Sequence, residues 1–317
     1  MANRQSSAAL IGRKQTLGVR VKKQKYVLLM MAPGLLHIFI FGTIPLAGLW
    51  MAFTKFKIGK SLFKGEFVGL KNFLRLFQGT ADVGYLLRNT LIINIVSIIL
   101  GTICAVGFAI LLKELPSKRF SKLVQTVSFF PYFVSWIIAY SVVAALFSMN
   151  TGAINIILIN LGIIKKGFNF LGQEKYAYGL TIVLNIWKDI GYSAVLYIAA
   201  MGGINPELYE AAAIDGAGRF GRIWHITMPG LIPTLSILLI LSVGSILGSS
   251  LDYFFVFTNT SNWRRMETFS YYIYDRGLRQ GDISYATAVG ILLSIVSIIL
   301  LSIANRASAK LTKTSIF

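Results

Sequence analysis

The chain has 317 residues, 55% of them hydrophobic and only 14% charged, with a mean hydropathy of +0.67. A soluble domain carries roughly a quarter charged residues, so the composition excludes an ordinary soluble enzyme. The net charge of +19, from 31 Lys+Arg against 12 Asp+Glu, is spread between long apolar runs and not over one face; an integral membrane protein with no nucleic-acid partner is the reading that follows.

A helix needs roughly 20 apolar residues to cross a hydrocarbon core, where no water is present to satisfy bare amides. Six segments qualify: Val27 to Phe53, Leu86 to Leu112, Leu123 to Phe147, Tyr176 to Met201, Leu231 to Leu251 and Tyr285 to Ala304. Pro33 and Pro45 are expected to kink the first without ending it. Arg4, Arg13, Lys14, Arg20, Lys22, Lys23 and Lys25 precede an apolar run too long for a signal peptide, which reads as a retained, signal-anchor-like first span. Lys113, Lys118, Arg119 and Lys122, packed between the second and third spans, favour a cytoplasmic loop there and cytoplasmic termini. The expected fold is all-α and integral to the membrane. Residues 1–26 form a basic tail, 27–304 a single six-span domain and 305–317 a second tail. The loops Thr54 to Tyr85, Ser148 to Lys175 and Asp252 to Ser284 fall outside, with a short helix expected over Ala153 to Ile164.

Several chemistries find no support. Cys104 is alone in an apolar run, which leaves no intramolecular disulfide and no multi-thiolate metal site. Gly59, Lys60 and Ser61 mimic the end of a phosphate-binding loop, but Thr54 stands where its first glycine belongs. His37 and His225 lie far apart without acids or thiols at ligand spacing; His37 reads as a satisfied bundle residue and His225 as a loop residue. No metal, cofactor or catalytic residue is expected in this chain.

The stretch between spans four and five has helical grammar of its own. Asn205 suits an N-cap, Pro206 the first helical position, and Glu207 and Glu210 the positive end of the dipole. A helix to about Ile214 is expected, then a turn at Asp215 and Gly216, then a second short helix over Arg219 to Ile226 that Pro229 stops.

Glu210, Ala211, Ala212, Asp215, Gly216, Ala217, Ile226 and Pro229 closely resemble the EAA loop of ABC importer permeases, with Met228 where the family usually has Leu. Phe129 to Phe133 in span three, and Tyr285 to Gly290 opening span six, look like the carbohydrate branch of that family, the multiple-sugar and polysaccharide-type permeases. The resemblance implies the importer-type permease fold in a bacterial cell membrane. It also implies a second, different permease subunit, an extracellular solute-binding protein and an oligosaccharide substrate. Two cytoplasmic ATPase subunits would dock on the EAA loop and hold the ATP and Mg. Small side chains there let a helix approach a partner groove closely.

Polar groups at mid-membrane are functional candidates by default. Asn185, Lys188, Asp189 and Tyr192 fall at offsets 0, 3, 4 and 7, one helical face that reads as solute path or as a structural polar network. Ser242, Ser245 and Ser249 repeat the pattern in span five, where Gly244 and Gly248 equally suit close helix packing. Lys188 in the path would favour an acidic oligosaccharide. Trp263, Asn262, Tyr271, Tyr272 and Tyr274 read either as an interfacial belt or as contacts for sugar or binding protein. A secondary transporter would show internal repeats, and a membrane enzyme a catalytic constellation; neither is visible.

Overall fold

A computed structural model describes residues 24–78, 83–312 and 314–316. The basic tail expected over residues 1–26 lies almost wholly outside them. Among the described residues five helices are long and apolar enough to cross a membrane: Lys25–Phe53, Val83–Glu114, Glu174–Gly202, Arg219–Gly244 and Ile283–Thr312. The sixth expected span is a bent pair, Lys118–Phe133 and Trp136–Phe147, turned through 105° at the break.

The first span starts as α1 (Lys25–Ile38), widens into a π turn over Phe39–Thr43 and tightens into a 3-10 run over Ile44–Phe53. Pro45 offers no N–H and its ring crowds the carbonyl four residues back, so the ladder changes pitch there while the rod goes on. No residue of α1 is buried, and His37 stands exposed beside Phe41 instead of being satisfied within the bundle. The span leads into a two-residue antiparallel ladder, β1 (Thr54–Lys55) with β2 (Glu66–Phe67), and a helical turn α2 (Lys71–Leu74). Buried Asn72 ties that turn to the span end by donating to the Ala52 and Thr54 carbonyls at 2.9 and 3.1 Å.

The centre of the molecule is α3 (Val83–Glu114) packed along α7 (Ala177–Gly202). Ala105, Ala109 and Ala194 are fully buried between them together with Val106, Tyr197 and Met201; small side chains allow the axes to close. On its other flank α7 meets α4 (Lys118–Phe133), and Gly191 is the contact point: a Cβ there would lie 2.0 Å from the Ser128 carbonyl oxygen. The chain then breaks at Val134 and Ser135, whose hydroxyl caps α5 (Trp136–Phe147). After α5 the expected surface helix appears as α6 (Ala153–Asn160), closed by Gly162 at φ +70°.

Span five departs from expectation at both ends. Arg219–Arg222 (α9), a π turn over Ile223–Thr227 and α10 (Met228–Gly244) form one continuous rod, so Pro229 does not stop a separate short helix. The wide π turn directly before Pro229 absorbs the missing hydrogen bond. His225 is therefore helical, with Nδ1 3.0 Å from the Gly221 carbonyl oxygen, and not a loop residue. The rod ends at Gly244, short of Leu251, and Ser249 lies beyond it.

Short helices follow, α11 (Leu251–Phe257), α12 (Trp263–Met266) and α13 (Phe269–Tyr274), then the last span, α14 (Ile283–Thr312), which begins close to the expected Tyr285 and outruns Ala304 by two turns. Tyr253, Phe254 and Phe257 of α11 pack on Trp136, and Phe269 and Tyr272 of α13 on Tyr285 and Leu86. Asn262 and Tyr272 are thus core residues, not outer contacts; Trp263 stays exposed.

The close approach of α4 to α7 makes a sharp prediction. Gly191→Ala puts a methyl into backbone and is expected to cost about 1–3 kcal/mol in overpacking. Gly107→Ala, where a Cβ meets nothing within 4 Å, is expected to be neutral. The melting temperatures of the two purified variants check this, and equal values would contradict it.

Candidate functional site

Beside the α3–α7 pair and α10 lie two adjoining hollows of about 290 and 280 Å³ that share Gly101, Thr102, Ser193 and Ser242. Asn185 and Asp189 face the first, with Asn94 and Ser97 of α3 opposite; Tyr192 and Ser245 face the second. The walls are mixed: hydroxyls, amides and the Asp189 carboxylate alternate with Ile98, Ile186, Ile190, Leu196, Leu238 and Leu241, and among the described residues the Ser97 hydroxyl is buried without a partner. Ser242 and Ser245 donate to their own helix, to the Leu238 carbonyl at 2.8 Å and the Ser242 carbonyl at 3.1 Å, which leaves their lone pairs to the cavity. Ser249 reaches the site indirectly, accepting from Asn94 Nδ2 at 3.0 Å.

The four residues expected on one face of α7 divide. Asn185 and Asp189 look into the cavity, but Lys188 turns the other way, onto the broken span. Its ammonium donates to the carbonyls of Pro131 at 3.2 Å and Tyr132 at 3.0 Å, and also to that of Val134. Trp136 lies 5.3 Å from the same nitrogen. The last carbonyls of any helix have no partner within the helix, and a cation at a C-terminus also meets the negative end of the dipole. Tyr192 stacks on Tyr132 at 4.4 Å, one turn further along, so its ring belongs to the same junction while its edge borders the second hollow.

At the far end of α7 stands the loop expected to couple. Asn205 Oδ1 accepts from the Glu207 amide at 3.1 Å, and α8 (Pro206–Ile214) follows as its capping residues dictate. Its end is a Schellman closure: the Ala217 amide donates to the Ala212 carbonyl at 2.8 Å and the Gly216 amide to Ala213 at 3.2 Å, with Gly216 at φ +77°. The glycine of the EAA pattern is thus a helix stop that an L side chain adopts only with strain. Tyr209 fixes α8 to the base of the rod through Thr227 at 2.9 Å, and the Lys113 ammonium sits over its ring at 5.0 Å.

Glu210, Ala211, Ala212, Asp215 and Ala217 fall on α8 and the turn after it, and Ile226 and Pro229 both lie within the rod that follows. Ile214 and Phe220 are 87% and 88% exposed, and Leu208 and Trp224 are also bare. Sequence reasoning missed these four, as it did Asn94, Ser97 and Thr102. The signals were apolar residues in a polar loop, and polar residues at spacings of three to five in an apolar run. No group of His, Cys, Asp or Glu among the described residues is placed to hold a metal.

Comparison with known proteins agrees with this arrangement. Residues 76–314 match the family described as binding-protein-dependent transport system inner membrane component. Over 305 residues, 96% of this chain and 94% of the relative, the sequence is 35% identical to the polygalacturonan/rhamnogalacturonan transport system permease protein YteP of Bacillus subtilis (strain 168). Protein LplB of the same organism is 35% identical over 94% of this chain and 92% of its own length. Among solved structures, a chain of a bacterial alginate ABC transporter in complex with an alginate pentasaccharide-bound periplasmic protein is similar, with a TM-score of 0.85 and 31% identity over 95% of this chain and 100% of that one. With the family match covering most of the chain, residues 205–229 included, the chain belongs to the binding-protein-dependent transport system inner membrane components, the membrane-embedded permeases of ABC importers.

Proposed function

We propose that this permease carries an oligosaccharide, and specifically one bearing carboxylates, across the membrane by alternating access. The observation that carries the reading is a wall between three membrane helices in which Asn94, Asn185, Asp189, Ser193 and Ser242 place hydrogen-bonding groups beside Ile98, Ile186 and Ile190. Sugar hydroxyls offer a donor and an acceptor each, which such a wall matches and an apolar solute does not. The acidic refinement rests on the relatives named for polygalacturonan, rhamnogalacturonan and alginate, and no longer on Lys188, whose ammonium is engaged by the broken span.

In this reading the chain is non-catalytic. ATP and Mg are bound by two cytoplasmic ATPase subunits, each permease offers one loop, and a sibling permease completes the path. Both termini are cytoplasmic, on the side of Lys113, Lys118, Arg119 and Lys122, and a solute-binding protein delivers substrate at the opposite end. Small residues along α8 admit a groove, while Ile214 and Phe220 supply apolar anchors.

Two outcomes test this. Phe220→Ala, made in a side chain that touches little of its own subunit, is expected to fold normally and to lose most of the ATPase that copurifies with the complex. Gly216→Val, at about 1–2 kcal/mol of left-handed backbone strain, is expected to uncouple hydrolysis from uptake. Normal ATPase recovery together with normal coupled uptake in both would contradict the docking role. For the path, Asp189→Asn is expected to assemble in normal amount and to reduce uptake of oligogalacturonate from its binding protein about tenfold; unchanged uptake would remove Asp189 from the path.

A further inference from the structure

At the end of α3 opposite the coupling loop lies a third, strongly polar hollow of about 350 Å³, lined by Gly84, Tyr85, Arg88, Glu174, Arg264 and Arg265. Three arginines face one acid. Glu174 is taken by Arg265, whose Nε lies 3.2 Å from Oε1 and whose guanidinium also sits 5.3 Å from the Tyr178 ring. Arg88 and Arg264 are exposed and, among the described residues, form no ion pair.

This grouping is built, not accidental. Fully buried Asn89, next to Arg88 on α3, donates to the carbonyls of Arg264 and Glu267 at 2.9 Å each and accepts from the Tyr178 hydroxyl at 2.5 Å. One buried amide therefore fixes the short helix α12 against α3 and α7 and sets the arginine-bearing turn over the hollow. The Tyr85 ring meets Trp263 edge-on at 6.5 Å, and its hydroxyl donates to Glu267. Burial pushes the Glu267 carboxyl up from its ordinary range, against the Tyr85 hydrogen bond that favours its charged form.

A guanidinium presents a planar fork of donors that matches a carboxylate. We propose that this hollow binds a uronate residue of the substrate, received from the binding protein before the sugar moves into the central cavity. Its size and concavity suit one carboxylated sugar ring, with Tyr85 and Trp263 supplying aromatic surface at the rim. The position follows along α3: Asn94, the first cavity residue, is six residues beyond Arg88, about 9 Å down the helix. The charge also falls where the account needs it. The central cavity contains the carboxylate of Asp189 and no lysine or arginine among its lining residues, so the cations that can single out an acidic sugar stand at this outer end.

The proposal rests on the acidic-oligosaccharide reading, and the test keeps the two apart. The assembled transporter in nanodiscs, without binding protein or ATP, is titrated with trigalacturonate and with neutral maltotriose, and binding is read by saturation-transfer NMR. The expected result is binding of trigalacturonate alone, weakened by salt, and weakened at least about tenfold in Arg88→Gln/Arg264→Gln. Equal affinity for both sugars, or the same trigalacturonate affinity in the double variant, overturns the assignment. So does a variant whose only defect is weaker docking of the binding protein, which would make an acidic protein surface the occupant. Wild-type import of trigalacturonate from its binding protein without direct binding here sinks the hollow alone; no import of any acidic oligosaccharide sinks the substrate reading as well.

Discussion

A chain inside hydrocarbon cannot leave carbonyl groups bare, and the break at Val134 and Ser135 exposes the end of a helix at membrane depth. Lys188 is the answer: one ammonium donates to the carbonyls of Tyr132 and Val134 at the interruption, and to that of Pro131, which also accepts from the Val134 amide. A cation within a membrane span is costly, and a helix C-terminus is among the few partners that offset it without an acid. Much else depends on this junction. Gly191, three residues on, lets α4 cross α7 at backbone contact, and Tyr192 stacks on Tyr132 beside it. With α4 held there, α5 turns away through 105° and packs Trp136 against Tyr253, which closes the core beneath α11.

The same arrangement sorts the charges of α7 by direction. Lys188 serves the broken span, while Asp189, one residue on and so about 100° around the helix, faces the polar hollow. An adjacent pair of opposite charges thus does not neutralise itself; each member is committed to a different surface. On the proposed path Asp189, amides and hydroxyls offer partners to a hydroxyl-rich solute between isoleucine and leucine side chains. The arginines Arg88 and Arg264 lie at one end of α3, and α8 lies at the other, where Lys113 sits over Tyr209.

What the sequence made legible follows from where local physics decides. Five of the six spans are intact rods, because a long apolar run has few alternatives in a bilayer. The cap at Asn205, the helix to Ile214 and the glycine stop at Gly216 came out as read, since capping is chemistry within a few residues. The bend in span three was not legible: Pro131 alone does not distinguish a kink from a break, and the stabilising lysine lies 57 residues away from it. Pro229 was misjudged because a π turn can carry a helix through a proline by widening before it. Spacing alone does not decide between path and network for Lys188, since a helical face does not say which neighbour each residue meets. Asn89 was passed over altogether, as a single amide near the end of an apolar run gives no sign of what it joins.

The most direct test of this account is the thermal stability of purified wild-type and Lys188→Met chain in the same detergent. Methionine keeps the volume and removes the three donated hydrogen bonds. The melting temperature of the variant is expected to be lower by about 5 °C or more, with poor recovery of the assembled transporter. An unchanged melting temperature with normal assembly would contradict it, and would return Lys188 to the solute path.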